Sequence, residues 1–246
     1  MIRLILLMSI LIFNSCASTL VEVLNKQVKP VASESKPINH DLWDDLLKTY
    51  VDEDGRVDYG QLNSERSQFN QYIQLLEKNH PNETYWTREE SIAYWINAYN
   101  AFTVQLILDH YPVESIKDIK GGITFVNSVW DKKFIKIEGY EYDLNNIEQG
   151  ILRKYYNEPL IHFAVNCASL SCPRLANFAF TAQNLNHQLE LMTRSFLADH
   201  SKNVIESHEL KLSKIFKWYK PDFTQGGTLK EFIDRYTEVE IGRAHV

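Results

Sequence analysis

The side chains best suited to chemistry lie close together in the stretch from Ile161 to Leu175, which reads I-H-F-A-V-N-C-A-S-L-S-C-P-R-L. His162, Cys167 and Cys172 fall within eleven residues. A thiol becomes a nucleophile when a neighbouring base or cation stabilises its thiolate. The spacing therefore predicts Cys167 as a nucleophile and His162 as its base, with Cys172 as the rival nucleophile.

The same three residues fit two other kinds of site. Cys167 and Cys172 could form a short disulfide beside a buried structural histidine. A metal or redox site is the third interpretation, but C-x4-C is looser than the C-x2-C of zinc ribbons, and no second Cys/His pair lies nearby. The sequence predicts no metal and no cofactor, and the residue types alone leave the nucleophile and the disulfide both open.

A carboxylate upstream is a candidate for orienting the imidazole. Glu148 neighbours Ile151 and Leu152 on the surface of a predicted helix, so its side chain is expected to point inward. A half-buried carboxylate needs a partner, and His162 and Arg153 are the candidates. A structural salt bridge is the alternative role for Glu148.

Two asparagines in the segment W-I-N-A-Y-N are a second source of orienting groups. Asn97 and Asn100 are three residues apart, so they share one side of a helix. A buried amide either ties down neighbouring backbone or helps to form a catalytic site. Asn97 is the predicted alternative to Glu148 as the orienting group. The predicted binding residues are Asn100, Arg153 and Ser169.

The central stretch is predicted to begin as a buried strand and to end as a loop. Apolar side chains recur at every second position from Ile161 to Val165, and residues 166–173 are small and polar. On a strand His162 and Phe163 face opposite sides, so both sides would have to be covered, as in a sheet packed by helices.

Helices are predicted where apolar side chains recur at helical spacing. The strongest runs from Thr87 to His110, where Thr87 and Glu90 form a capping box. The others are His40 to Tyr50, Leu62 to Lys78, Asn146 to Tyr156, Asn184 to Leu197 and Leu229 to Tyr236.

Strands are predicted in the second half of the chain. Residues 134–137 and 140–144 form a hairpin through Glu138-Gly139, and two more strands lie at Val204-Ile205 and 210–212. The following segment, Ser213 to Tyr219, mixes aromatics with lysines and is predicted to pack on the core, with a ligand-facing role as the alternative. We expect one α+β domain, in which a helical first half packs on a small, mostly antiparallel sheet around residues 134–165.

The acidic segment V-D-E-D-G-R-V-D-Y, from Val51 to Tyr59, suggests a calcium loop at first sight. With Gly55 as the sixth residue of an EF-hand loop, the first ligand would be Tyr50 and the twelfth Gln61. Neither side chain suits calcium, so the segment is predicted to be a turn between elements.

Composition excludes some classes of partner. The chain has 246 residues, 44% of them hydrophobic, and a net charge of −6, which is ordinary for a globular protein. Its 26 Lys and Arg residues are scattered, so no nucleic-acid partner is predicted. With three cysteines it is not a disulfide-framework protein.

The first residues are predicted to be an export signal. Leu4 to Phe13 is apolar and too short to span a bilayer of roughly 30 Å as a helix. The following N-S-C resembles the lipobox of bacterial lipoproteins, in which the cysteine, here Cys16, is acylated and becomes the mature N-terminus. A secretory signal cleaved nearby is the alternative. The expected layout is a signal at 1–16, a tether at 17–39 and a domain at 40–240, exported and held on the periplasmic side of the inner or outer membrane by the lipid on Cys16.

Five motifs in order resemble the DUF547 family, a domain of unknown function. They are V-D-E-D-G-R-V-D-Y (Val51 to Tyr59), W-I-N-A-Y-N (Trp95 to Asn100), N-I-E-Q-G-I-L-R (Asn146 to Arg153), I-H-F-A-V-N-C-A-S-L-S-C-P (Ile161 to Pro173) and L-S-K-I-F-K-W-Y-K-P-D-F (Leu212 to Phe223). The resemblance covers roughly residues 40 to 236 and implies no established activity.

The last residues, Ile241 to Val246, read I-G-R-A-H-V and match the translation of a common short-read sequencing adapter. The resemblance also implies a Y-D-W-S-L-N-like segment after the last helix, which this chain lacks. We therefore expect the gene to be truncated near Glu240 and residues 241–246 to be an artefact.

The leading functional hypothesis is a thiol-dependent hydrolase or acyltransferase of the cell envelope, acting on a small molecule or peptide. The first alternative is a non-catalytic envelope module for a ligand or a protein, with a structural Cys167–Cys172 pair. The second is a thiol redox protein, which would oxidise reversibly at a measurable potential.

Overall fold

The computed structural model describes residues 33–119, 128–169, 172–206 and 209–237. The predicted signal, Cys16, residues 17–32 of the tether and the tail at 241–246 lie outside these ranges. Within them, no helix has both the length and the apolar character needed to cross a membrane.

The first half of the domain is helical, as expected, with α1 (Asp41–Tyr50), α2 (Tyr59–Ser64) and α3 (Arg66–Glu77). The single helix predicted from Leu62 to Lys78 is wrong, because the backbone at Glu65 leaves the helical conformation with φ −120° and ψ 35°. The Glu65 carboxylate accepts a hydrogen bond from the Tyr50 hydroxyl at 2.7 Å, which ties the break between α2 and α3 to the end of α1.

Helix α4 (Arg88–Leu108) lies at the centre of the fold. It begins with the predicted capping box, in which Thr87 and Glu90 each bond the other's backbone N–H. From Ser91 to Leu108 nearly every side chain is buried. A helix that is buried on all sides serves as a core element for the segments around it.

Strands β1 (Ile135–Ile137) and β2 (Tyr140–Tyr142) pair in antiparallel register. The predicted turn at Glu138-Gly139 is confirmed, with φ 47° and 84°, which suits the tight turns that match the twist of a hairpin. Strands β3 (Val204–Ile205) and β4 (Leu210–Lys211) form a second, separate antiparallel pair.

The strand predicted from Ile161 to Val165 is wrong. Residues Pro159–Phe163 form a 3₁₀ helix, with proline at its start and the Glu158 carboxylate accepting from the Leu160 N–H. Every residue from Ile161 to Val165 is buried, so the five-residue alternation of apolar side chains did not mark an inner and an outer face. The expected sheet around residues 134–165 is therefore reduced to the β1–β2 hairpin.

The segment predicted as a helix from Asn146 to Tyr156 is helical, but it is a π-helix spanning Asn146–Tyr155. Such wide turns are rare and occur frequently at functional sites. The segment packs against α4.

The second half ends in a group of short helices, α5 (Leu185–Leu197), α6 (Ile215–Trp218), α7 (Lys220–Phe223) and α8 (Leu229–Tyr236). Phe163 of the 3₁₀ helix contacts rings from all four of them, with centroids 5.3 to 6.3 Å away. The result is a mixed α+β domain, as the sequence predicts.

Candidate functional site

Glu148 lies in a polar network at the π-helix. Its carboxylate accepts hydrogen bonds from the Tyr99 hydroxyl at 3.2 Å, the Tyr219 hydroxyl at 2.9 Å and the Gln149 amide at 2.8 Å. Burial raises the pKa of Glu148, although these donors act in the opposite direction. Neither expected partner, His162 or Arg153, bonds this carboxylate directly.

Arg153 and His162 instead share a different carboxylate. The Arg153 guanidinium donates to both oxygens of Asp222, at 2.6 and 3.2 Å, and also to the Gln149 side chain at 3.0 Å. The His162 Nε2 lies 2.8 Å from the same Asp222 carboxylate. Burial alone would raise the pKa of Asp222, but hydrogen bonds from Arg153 and His162 lower it overall.

The imidazole of His162 is neutral at physiological pH. Its side chain is only 1% exposed, and burial lowers its pKa to about 4, against the opposing effect of Asp222. Since the Asp222 carboxylate is ionised, Nε2 carries the proton and donates it, which leaves Nδ1 as an acceptor. No described residue bonds this buried Nδ1.

Tyr219 connects the Glu148 and His162 parts of the network. Its ring stacks on the imidazole with centroids 3.8 Å apart and planes 17° from parallel, and the Arg153 guanidinium lies 5.0 Å from the ring centroid. Burial raises the pKa of Tyr219 and lowers that of His162, so both groups are held in their neutral forms at neutral pH. We call this set the π-helix network: Tyr99, Glu148, Gln149, Arg153, His162, Tyr219 and Asp222.

The two cysteines lie in a different arrangement. Cys167 and Cys172 form a disulfide with a Cα–Cα distance of 6.2 Å, and the Cys172 N–H donates to the Ser169 carbonyl at 2.9 Å. We call residues 167–172 the disulfide loop, of which residues 170 and 171 are not described. His162 makes its described polar contact with Asp222 and none with either cysteine.

The predicted asparagines bind backbone near this loop. Asn100 donates to the Ala164 carbonyl at 3.0 Å and accepts from the Asn166 N–H at 2.8 Å. The Asn166 side chain in turn donates to the Pro173 carbonyl at 2.7 Å, so it closes the base of the disulfide loop. Asn97 donates to the Phe180 carbonyl and accepts from the Phe180 N–H, at 2.8 and 3.0 Å, rather than contacting His162.

A cleft of about 1100 Å³ opens beside the disulfide loop. Cys172 and the predicted binding residue Ser169 line it, with side chains of both charges such as Lys117 and Glu114. Two other charged pairs on its wall are already bonded to each other, Arg56 to Asp54 at 2.6 Å and Lys202 to Asp199 at 2.7 Å. The cleft is large enough for a small molecule or a short peptide.

The acidic turn that begins at Asp52 contributes Asp54, Gly55 and Arg56 to this wall, and backbone N–H groups hold its first carboxylate. The Asp52 carboxylate accepts from the backbone N–H groups of Asp54 and Arg56, at 3.0 and 2.8 Å, and Val51 pairs with Val57 in an antiparallel bridge. Among the described residues, no group of three or more His, Cys, Asp or Glu side chains could hold a metal ion.

The structure thus divides the predicted site between two places. His162, Glu148 and Arg153 belong to the π-helix network, whereas Cys172 and Ser169 line the cleft. The sequence did not predict four further members of the network, which are Tyr99, Gln149, Tyr219 and Asp222. Two of these were detectable, because Tyr219 and Asp222 lie in the family motif L-S-K-I-F-K-W-Y-K-P-D-F.

Comparison with known proteins bears on the same region. A family model described as a protein of unknown function, DUF547, matches residues 84–197, which include α4, the π-helix, His162 and both loop cysteines. No curated protein and no solved structure matches the chain significantly. The motifs at residues 51–59 and 212–223 lie outside the matched region. The predicted resemblance to the DUF547 family is therefore confirmed over residues 84–197.

Proposed function

We propose that this protein is a lipid-anchored module of the bacterial cell envelope whose cleft binds a small molecule or peptide without a thiol reaction. The observation that carries the proposal is the Cys167–Cys172 disulfide on the cleft wall. A disulfide offers no thiolate for nucleophilic attack, so it favours the binding module over the thiol-dependent hydrolase.

The surroundings of the cysteines support the same choice. A hydrolase needs its imidazole within hydrogen-bond reach of the nucleophile, but His162 donates to Asp222 and stacks on Tyr219. Asn100 and Asn166 bond the backbone on both sides of the disulfide loop. A loop fixed in this way is suited to shaping a binding surface.

The character of the cleft suggests the class of ligand. Its wall carries Lys117, Arg174 and Glu114 together with hydroxyl groups such as those of Ser115 and Ser195. Charges of both signs with many hydroxyls suit a ligand that itself carries both charges and hydrogen-bonding groups, such as a peptide with free ends.

Export and anchoring are part of the proposal. An acylated Cys16 would leave Cys167 and Cys172 as the remaining cysteines of the chain, in a compartment where disulfides persist. Mass spectrometry of the protein from bacterial membranes should find acyl groups on Cys16. A Cys16→Ala variant found in membranes as much as the wild type would contradict the anchor.

Thiol counting tests the binding module against both alternatives. The purified full chain is alkylated before and after reduction, and mass spectrometry locates the label. We expect Cys167 and Cys172 to react only after reduction. A free Cys167 that reacts well below the ordinary pKa of about 8.5 would instead favour the hydrolase, and ready reversal in redox buffers near about −270 mV would favour the redox protein.

Ligand binding is tested by the shift in melting temperature with a panel of envelope peptides and cell-wall fragments. A ligand of the cleft should raise the melting temperature of the wild type and do so less for Lys117→Glu, which reverses a charge on the wall. The matched control is Lys136→Glu on β1, whose lysine faces solvent beside Glu141. An equal response of both variants would place the ligand elsewhere.

A further inference from the structure

Helix α6 presents two unlike faces. Ile215 and Phe216 on its inner side are buried in the core, which confirms the prediction that Ser213 to Tyr219 packs there. Lys214, Lys217 and Trp218, at positions i, i+3 and i+4, are exposed on the outer side. We call these three residues and the exposed Lys220 that follows them the α6 patch.

The α6 patch contains an exposed tryptophan side chain. Trp218 is 61% exposed, more than any other large hydrophobic side chain in the described ranges. The chain's other tryptophans are buried or partly buried. The indole ring of Trp218 is therefore accessible to a partner, and it lies among the exposed lysines of the same patch.

Three lysines give the α6 patch a positive charge. Lys214, Lys217 and Lys220 form no ion pair with another described residue. The nearest acidic side chain in sequence, Asp222, is occupied by Arg153 and His162. The patch is therefore locally cationic on a chain whose net charge is −6.

We propose that the α6 patch docks on a membrane surface that contains anionic phospholipid. Lysines next to such a surface are attracted by its negative potential, and tryptophan rings settle at the level of the headgroups. The proposal rests on the lipid anchor of the proposed function, because an anchor at Cys16 would keep the domain close to the bilayer.

The length of the tether makes this contact possible. The chain from Cys16 to Ser33 would reach at most about 60 Å when fully extended. Because the lipid anchor already keeps the domain within this distance of the bilayer, docking of the α6 patch is an intramolecular step. A weak affinity of the patch for lipid is therefore sufficient. A lipid anchor and a cationic patch together are the kind of double signal that holds peripheral proteins stably.

The test measures the exposure of Trp218 on membranes. The acylated full chain is reconstituted into vesicles of phosphatidylcholine alone or of phosphatidylcholine with phosphatidylglycerol. Acrylamide quenching of tryptophan fluorescence is compared between the wild type and Trp218→Phe, so that the difference reports Trp218. We expect quenching of Trp218 to fall several-fold in the anionic vesicles and to recover at high salt.

Charge variants identify the surface. The double variant Lys214→Glu/Lys217→Glu should stay fully quenchable in anionic vesicles, whereas Lys136→Glu on the β1–β2 hairpin should behave as the wild type. Quenching that is equal in both vesicle types, with acyl groups on Cys16 confirmed by mass, would overturn the proposal. Protection by a soluble polyanion without vesicles would overturn it too, in favour of a polymer as the partner. Absence of acyl groups would count against the anchor itself.

Discussion

His162 is a buried histidine whose surroundings keep it uncharged. Desolvation lowers its pKa from 6.5 to about 4, even though the Asp222 carboxylate acts in the other direction. In the unfolded chain the same imidazole takes up a proton near pH 6.5. Between these two values the unfolded state binds more protons than the folded state, so acid shifts the equilibrium towards unfolding.

Stability should therefore fall as the pH is lowered from 7 to 5. His162 should account for about 2 kcal/mol of the loss in the free energy of unfolding. His40 acts in the same direction, because burial also lowers its pKa to about 4. Glu148 opposes both, because its raised pKa favours protonation in the folded state. Urea unfolding at the two pH values measures the sum.

Two variants isolate the contribution of His162 to this pH dependence. In His162→Gln the loss of stability between pH 7 and 5 should shrink by about 2 kcal/mol. The exposed His187 provides the control, since His187→Gln should leave the loss unchanged. If His162→Gln kept the pH dependence of the wild type, the imidazole would not be the neutral buried group that its contacts imply.

Gly55 is a second position where one residue decides the local structure. It has φ 78°, and a Cβ there would lie 2.6 Å from the Arg174 Cβ and 2.8 Å from the Leu175 backbone. The acidic turn thus packs directly on the chain that leaves the disulfide loop. Gly55→Ala should cost about 2 kcal/mol or more, since strain and overlap add.

The β-hairpin provides the matched control for this substitution. Gly139 has a similar φ of 84°, but no atom of the residues that the structure describes lies within 4 Å of a Cβ built there. Gly139→Ala therefore suffers the backbone strain alone, about 1 kcal/mol. If both variants lost the same free energy of unfolding in urea, Arg174 and Leu175 would have to move away from the new Cβ without an energetic cost.

At the scale of elements, the disulfide loop depends on helix α4. Asn100 bonds the backbone of Ala164 and Asn166, just before Cys167. Removing its amide leaves the buried Ala164 carbonyl and the half-buried Asn166 N–H without these partners, at a cost of about 2 to 3 kcal/mol. Asn100→Ala should also let the Cys167–Cys172 disulfide be reduced several-fold faster under native conditions, because the loop opens more often.

Asn97 is the natural comparison, one turn earlier on the same helix. It makes the same pair of bonds, but to the backbone of Phe180. Asn97→Ala should destabilise the fold by a similar amount and leave the reduction rate near that of the wild type. Similar acceleration in both variants would mean that reduction follows global unfolding rather than opening of the loop.

The elements show which sequence signals were sufficient. The capping box at Thr87 and the turn at Glu138-Gly139 were predicted correctly, because each depends on residues within a few positions. The stretch from Ile161 to Val165 was not, because five alternating residues fit a strand while Pro159 and burial on all sides favour a 3₁₀ helix. The local sequence pattern does not show which other elements pack around a segment.

The same limit explains the candidate site. His162 meets Asp222 across 60 positions and Glu148 meets Tyr219 across 71. Helical periodicity predicted that Glu148 points inward, and its half-buried carboxylate agrees. Its hydrogen-bond partner depends on how α6 and α7 pack against the π-helix. The spacing of residues in the sequence does not predict that packing.

At the scale of the whole molecule, two aromatic clusters are joined by α4. The first includes Trp43, Tyr72, His40, Tyr94, Trp95 and Tyr142, which are linked in that order by ring contacts of 5.1 to 6.4 Å. The second surrounds Phe163. Because α4 carries Trp95 on one side and holds the backbone of Ala164 through Asn100 on another, both clusters should unfold together.

Phe163→Ala tests this coupling. The ring is fully buried among Phe196, Phe216, Phe223 and Phe232, so its loss should cost about 3 to 5 kcal/mol. Tryptophan fluorescence follows mainly the first cluster, whereas far-UV circular dichroism follows all helices. With one cooperative unit, the variant's urea midpoint should fall equally by both probes.

Leu191→Ala is the control on α5, the helix that carries Phe196. Its side chain is 43% exposed, so the substitution should cost less than about 1 kcal/mol. If circular dichroism of Phe163→Ala showed an early transition while fluorescence kept the wild-type midpoint, the two clusters would be separate folding units. Coincident transitions would mean that α4 transmits a defect in the second half to the first, so the π-helix network and the cleft beside the disulfide loop gain and lose their structure together.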